Sequence, residues 1–569
     1  MGHGRLSRGR EMSKIEEGST LACVAEGPAD PCTGRFAGRL ETGLIFAAGL
    51  FLFLVGLDGR ELLQLECRTG LFVKEILENG IGWFPTVYGR PYPDYPITHP
   101  ALIYAVSGLF GRLSVQAAVL PTAVAAAISL AVTYRVGLIV SRPLALWAVL
   151  FELGTYGFLS TARTVALDHL TTAITAGCFL AAYSWLIAGR NRHLALVLLL
   201  CIAGFACRGP IGFLLPAGVA ATCCLVEKRH RAFLSISVVL AAIFVVCGLG
   251  LIAAAVQAGG RAFAHQVWDM QVATRLTGSH ARAFYYYLVH TFTTYAISFP
   301  LALLVLIRLR RPLFSTLSDA RLRLLRPLGA CFLLLFIGLH VPSAKAARYL
   351  LPLAPMASLI AAFLMVDAGS NGLTRARVQL IKILSLLPTL GLGASAVLFG
   401  IWSYLRFDAR PSWLFLFVAL LVVAGVRFKL VSWVARAETQ EYLIGVLGFA
   451  ALAVIHFSVV EPIKESLEGA RPFVAKLEAM RGDTEPLVFF GIGPDQEDIR
   501  YVLNASRPIR PLFARTPEEL LRLPKNAWVI ARESNIGALT GEAGELANVR
   551  FEGRLGHRRC VVFRLPAPR

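Results

Sequence analysis

Residues 60–100 read RELLQLECRTGLFVKEILENGIGWFPTVYGRPYPDYPITHP, and the placing of this stretch decides the fold. It is polar and aromatic, yet it lies between two strongly apolar segments, as a loop of a membrane protein does. It is far longer than a plain connection needs, and long structured loops tend to be functional. Glu61, Glu66, Arg68, Lys74, Asp94 and His99 stand there among Tyr and Pro residues. That set suits a polar, charged ligand at a membrane surface. LFVKEILENG has the spacing of an amphipathic helix ending at Gly80, with Leu71, Phe72, Ile76 and Leu77 on one side.

Composition agrees. The chain has 569 residues, of which 56% are hydrophobic and 16% charged, and its mean hydropathy is +0.62. Apolar runs recur at a length that crosses about 30 Å of hydrocarbon. The formal charge of +20 is spread in short bursts between these runs. Cytoplasmic loops look like this, whereas nucleic-acid binding wants one basic face, so no nucleic-acid partner is expected. Most of the 11 cysteines lie inside apolar runs and read as small buried hydrophobes.

Placing the basic bursts inside orders the chain. Residues 1–41 form a basic, aperiodic cytoplasmic tail. The first span, Thr42–Leu57, runs outward and puts residues 60–100 on the outer face. Pro100–Gly111 is short and reads as juxtamembrane, because a span there would put the later basic clusters on the wrong side. Continuing to Val460 gives about thirteen spans, with a second long outer loop at 257–285. Residues 461–569 alternate helix and strand patterns and form a small outer α/β domain. Thr516–Glu519 in it fits a helix-capping box. The expected class is therefore an all-α polytopic membrane protein with a C-terminal extracytoplasmic α/β domain, in the inner (plasma) membrane.

The exceptions to this topology locate the candidate site. Arg68, Lys74, Arg163, Arg208, Arg275, Lys345 and Arg348 all fall at outer ends of spans, where basic residues should be scarce. Convergence of such groups suggests an outer cavity for an anion such as phosphate, whose oxygens the guanidinium fork matches. Singly, each also fits a residue snorkelling to the interface. Asp168 opens a span directly after an outer loop, a costly place for an acid unless it faces a cavity, although a helix N-cap also places Asp there. Glu66 and Asp94 are further acids, open equally to a solvated helix position and a turn. A carboxylate here can act as general base or hold a divalent metal, with Glu66 and Asp168 as its ligands. Tyr92, Tyr95 and His99 offer rings to a sugar.

These residues resemble a family. Glu66 and Arg68, then Gly89-Arg90-Pro91-Tyr92, then Arg163…Asp168, Arg208-Gly209-Pro210, His265–Leu288 and Lys345…Arg348-Tyr349-Leu350-Leu351-Pro352 are similar, in that order, to the GT-C membrane glycosyltransferases. The bacterial lipid A aminoarabinose transferases and the dolichyl-phosphate-mannose protein mannosyltransferases are the nearest branches. The resemblance covers Thr42–Ala368 and extends in plan to the rest. It implies a transferase domain over 42–460, a polyprenyl-phosphate-linked sugar as donor, and a lipid, glycan or protein as acceptor. It further implies Glu66, Asp94 and Asp168 as catalytic acids, with Arg68, Arg163, Arg208, Lys345 and Arg348 on the donor phosphate. Tyr92, Tyr95, His99, Tyr349 and Arg275 would contact substrate. The family's first loop opens Asp-Glu-x-Arg-Tyr, whereas this chain has Leu65-Glu66-Cys67-Arg68-Thr69, and Tyr95 stands where Lys is usual. A lipid-linked-sugar transporter would instead show charges near the midplane and repeated halves. Here charges sit at span ends and no repeat is visible. The departure at Leu65 keeps a non-catalytic partner of the same fold as a further alternative.

Overall fold

Apolar runs become helices here because a segment without water must satisfy its backbone groups internally. The structure is a computed structural model describing residues 31–565, apart from 95, 278–280, 309–319, 367–372, 396, 398–399, 401–436, 483–484, 525 and 540–548. Tyr95, the expected span Trp413–Val426 and residues 1–30 of the tail lie outside the described residues.

Among the described residues, seven helices are long and apolar enough to cross a membrane. An eighth follows if Arg142–Gly154 and Tyr156–Ala162, bent by 70°, make one span. The chain is a multi-pass membrane protein. The hydropathy reading counts about thirteen spans; some of the runs it counts are short here, such as Pro210–Val226 and Ser298–Arg308. The first helix, Pro31–Leu54, takes in the last part of the expected tail. The expected loop 257–285 is partly helical. The helix His230–Trp268 continues into it through a break at Gly259 and Gly260, and Asp269–Ala273 follows as a π-turn.

The first loop holds the expected amphipathic helix, Leu65–Asn79, which ends at Gly80 with φ +83°. Leu71, Phe72 and Ile76 are buried, while Leu77 is exposed. A two-residue hairpin follows, pairing Thr86 with Pro91 and Val87 with Arg90. Its turn residues Tyr88 and Gly89 have φ of +53° and +76°, as a primed turn requires. Tyr88 is an unusual residue there. It is held because Glu75 accepts from the amides of Tyr88 and Gly89 and from the Thr86 hydroxyl.

The C-terminal residues form a five-stranded mixed sheet, ordered Leu512–Ala514, Leu487–Phe490, Trp528–Arg532, Arg558–Arg564, Val549–Leu555. The first three strands are parallel and the last two antiparallel to their neighbours. The second strand in this order, Leu487–Phe490, is buried on both faces. Leu487 and Phe489 pack with Phe473 and Tyr501, and Val488 and Phe490 with Leu520 and Phe563. Thr516 caps its helix as expected, Oγ1 accepting from Glu519 N at 3.3 Å, while the returning Glu519 Oε2 accepts from Arg515 N, one residue before the cap, at 2.7 Å. Val549–Leu555 is a strand that the sequence reading does not resolve. The helical pattern that opens this region forms two helices, Glu461–Glu468 and Arg471–Met480.

This unit docks on the first loop, a contact without a local sequence signal. Glu61 accepts from Ala470 N at 2.7 Å and from Asn504 Nδ2 at 3.0 Å, placing a carboxylate at the start of Arg471–Met480, where the helix dipole favours it. Tyr88 donates to Asp498 Oδ2 at 2.6 Å, and Lys74 Nζ to Val502 O at 3.1 Å. Burial, reinforced by Asp498, pushes the Tyr88 phenol up, so it remains a donor. Gly70 sits where a Cβ would meet Leu503 Cδ2 at 2.9 Å. Gly70→Val is therefore expected to cost about 1–3 kcal/mol by overpacking this contact. Gly108→Val, with nothing within 4 Å, should cost far less. Thermal melting of the two purified variants against the parent checks the difference.

Candidate active site

Two cavities meet at Arg208. The first, of about 280 Å³, is polar and is lined by Glu66, Arg68, His99, Asp168, Arg348 and Glu461 among others. The second, of about 360 Å³, is an apolar groove between Phe205, Leu214, Phe244, Leu251, Trp268 and Leu339. At the junction, Asp168 pairs with Arg208 through Oδ1, and its Oδ2 lies 3.7 Å from Arg348 Nε. Both guanidiniums sit over the ring of Tyr349, at 4.9 Å and 5.6 Å. The Tyr349 hydroxyl accepts from Arg275 Nη1 at 3.1 Å, and Arg275 Nη2 is 2.8 Å from Asp94 Oδ1. Six of the expected residues thus form one chain: Asp94, Arg275, Tyr349, Arg208, Asp168 and Arg348.

Local structure explains the placing. Asp168 begins the helix Asp168–Ala188, so its carboxyl stands at the positive end of the helix. Arg208 ends Asn191–Arg208, and the chain turns at once through Gly209 into Pro210–Val226. Gly209 has φ +63°, and a Cβ there would lie 2.3 Å from Gln271 Oε1. Glycine is needed on both counts. Gln271 in turn donates to the backbone oxygen of Asp94 at 3.2 Å, stitching the second loop region to the first.

Glu66 stands on the opposite wall and is heavily engaged. It receives both oxygens' worth of Arg60 at 2.9 and 2.8 Å, Leu63 N at 2.8 Å and Val165 N at 2.9 Å. Arg68 turns toward the C-terminal sheet unit and pairs with Asp495, which also accepts from Tyr92 at 3.1 Å. Leu65, where the family motif has an acid, lines the cavity wall. Lys345 donates to Pro342 O at 2.8 Å and lines neither cavity.

Arg163 departs most from its expected phosphate-binding place. It is 1% exposed and bonded to Glu461 at 2.9 and 3.0 Å and to Leu52 O and Val55 O at 3.1 and 2.7 Å. Phe457 covers its guanidinium at 3.9 Å. Glu461, His456, Lys464 and Tyr156 line the polar cavity but are absent from the sequence-derived set. Glu461 was findable by the rule that found Asp168, an acid at the outer end of an apolar run.

The carboxylates do not suit a divalent metal. Glu66 and Asp168 each face guanidinium groups, which repel a cation. Among the described residues no three or more His, Cys, Asp or Glu side chains come together as a ligand set.

The sequence matches no protein-family model, and no curated protein matches it either. Solved structures do match. ArnT from Cupriavidus metallidurans bound to undecaprenyl phosphate matches with a TM-score of 0.67 at 16% identity, over 93% of this chain and 100% of that one. Its apo form gives 0.63 at 15%, over 94% and 100%. The apo oligosaccharyltransferase of Archaeoglobus fulgidus gives 0.50 at 12%, over 93% of this chain and 75% of that one. The chain has the GT-C fold. The two cavities are therefore features of a GT-C bundle.

His99, 3% exposed, lies in the polar cavity with Nε2 buried and without a hydrogen-bond partner among the described residues. Burial lowers its pKa from 6.5 to about 4, and Asp168 offsets this only in part. The unfolded chain therefore binds the proton first. Stability from this group is full above pH 6.5 and is lost as pH falls toward about 4. His99→Gln should flatten that part of the acid-side fall, measured as melting temperature against pH.

Proposed function

We propose that this chain transfers a sugar from a polyprenyl-phosphate donor to an acceptor at the outer face of the cytoplasmic membrane. The observation that carries the reading is the meeting of the apolar groove with the cluster of Arg208, Arg348 and Arg275 around Tyr349. An isoprenoid fits the groove, and its phosphate fits the guanidinium forks. ArnT, the similar structure, is bound to undecaprenyl phosphate. The C-terminal unit and the first loop are read as periplasmic or extracellular, over 461–569 and 60–100.

The reaction is a single displacement. An acceptor hydroxyl or phosphate oxygen attacks the anomeric carbon as that carbon's bond to the donor phosphate oxygen breaks. The electron pair leaves with the polyprenyl phosphate, whose charge Arg208 and Arg348 stabilise. Any acceptor proton passes to a carboxylate. Asp168 is preferred, because its Oδ2 lies 3.7 Å from Arg348, leaving room for another donor. Glu66 is filled by Arg60 and two amides, and it orders the loop. Asp94 steers Arg275. Inversion at the anomeric carbon follows from one displacement.

In membrane-vesicle transfer from a panel of polyprenyl-phosphate sugars, Asp168→Asn should reduce the rate by about 10²-fold or more, the usual scale for such a group. Glu66→Gln and Asp94→Asn should act less strongly, through positioning. Near-parental transfer in all three variants, or a product of retained configuration, would sink the mechanism. No turnover by the parent chain with any donor would favour the non-catalytic partner that Leu65 suggests.

A further inference from the structure

Beside the polar cavity lies a groove that the transfer chemistry does not use. It has a volume of about 360 Å³ and runs between the first loop and the C-terminal sheet unit. The two share Gln64, Leu65 and Arg68 in their walls, so the groove opens beside the site. Four guanidiniums, of Arg68, Arg500, Arg532 and Arg558, face two carboxylates, of Asp495 and Glu497. Arg532 holds Glu497 at 2.6 Å, and Arg558 stands 4.0 Å from the same carboxylate with its side chain 57% exposed.

Arg500 is the odd one. It is 8% exposed, yet its bonds are a contact of 3.5 Å to Leu555 O and of 3.3 Å to His557 Nδ1. No carboxylate pairs with it among the described residues. Burial, then the charges of Arg500 and Arg558, holds His557 below its ordinary value, so it serves as a neutral acceptor and cancels no charge. The backbone is shaped to admit this side chain, since a Cβ at Gly556 would fall 1.4 Å from Arg500 Nη1. A buried charge is ordinarily paired, because desolvation without a partner is costly. Here the partner is missing on the side that faces an open groove.

We propose that this groove binds an oxyanion, a phosphomonoester or carboxylate, bridging Arg500 and Arg558. On the transferase reading above, on which this second step rests, the oxyanion belongs to the acceptor and holds it beside the cavity. Arg500 and Arg558 are then positioning residues that touch the acceptor away from the reacting atoms.

The test uses the full chain in phosphatidylcholine nanodiscs, with inorganic phosphate as the probe in isothermal titration. An Arg208→Gln background weakens the other phosphate site. Arg500→Gln and Arg558→Glu should each weaken phosphate binding at least tenfold. Arg558 is surface-exposed, so its variant should keep the parental melting temperature even if Arg500→Gln does not fold. Phosphate binding unchanged in Arg558→Glu overturns the site. Displacement of phosphate by phosphatidic acid in the disc assigns the oxyanion to a lipid headgroup, and displacement by glucose 6-phosphate assigns it to a soluble glycan. Displacement by neither overturns the acceptor step. Equal acceptor KM in parent and Arg558→Glu, alongside transfer lost in Asp168→Asn, overturns that step while leaving the transferase standing. Absence of transfer from any donor removes the transferase and leaves the phosphate titration to be judged alone.

Discussion

The buried guanidinium of Arg163 is the tie on which the rest of the structure depends. It lies at the end of the short helix Tyr156–Ala162 and reaches three elements at once. Its N–H groups take the backbone oxygens of Leu52 and Val55 at the end of the first helix, which would otherwise lack partners. The same group grips Glu461, where the membrane bundle hands over to the C-terminal unit. A buried ion pair of this kind adds little net stability, but losing one partner strands the other, so it serves to define one arrangement. The adjoining loop then sets Val165 N against Glu66, and two residues beyond that loop's Ala166 the helix opens on Asp168. One clasp thus places both walls of the polar cavity.

Much of this was legible from residue pattern. Apolar runs and basic bursts place the helices, and the exceptions point to Asp168, Arg208, Arg275 and Arg348, which the structure brings together. The glycine of Arg208-Gly209-Pro210 is read from its motif, and a steep turn against Gln271 explains it. What escaped the sequence is what depends on distance along the chain. Nothing near Arg163 marks Glu461 as its partner, 298 residues away. Nothing near Arg68 marks Asp495, 427 residues away. Charge scarcity tells that a basic residue is special. It does not distinguish a guanidinium that faces ligand from one that closes the frame.

The first loop gains its order from both sides. Glu75 receives the strained hairpin turn, and Asp498 receives the Tyr88 hydroxyl. Asp495, itself at φ +77°, is steadied by its own amide donating to Asp498 at 3.2 Å. Such backbone conformations persist where surroundings over-determine them, often beside functional sites. Arg68 and Tyr92 are fixed by a unit that lies at the far end of the sequence, so the cavity mouth is an assembled surface and belongs to neither part alone.

The bond between Glu61 and Ala470 spans 409 residues, and this sets an order of events during biogenesis. At roughly 5–20 residues per second, the first loop waits on the order of 20–80 s after its own synthesis before its partner leaves the ribosome. During that interval Glu61, Arg68 and Tyr88 lack their partners Ala470, Asp495 and Asp498, and the cavity mouth is unfinished. The cavity mouth is therefore completed only when the C-terminal sheet unit has packed against the first loop. Truncated products made by early termination carry the membrane bundle without a finished site.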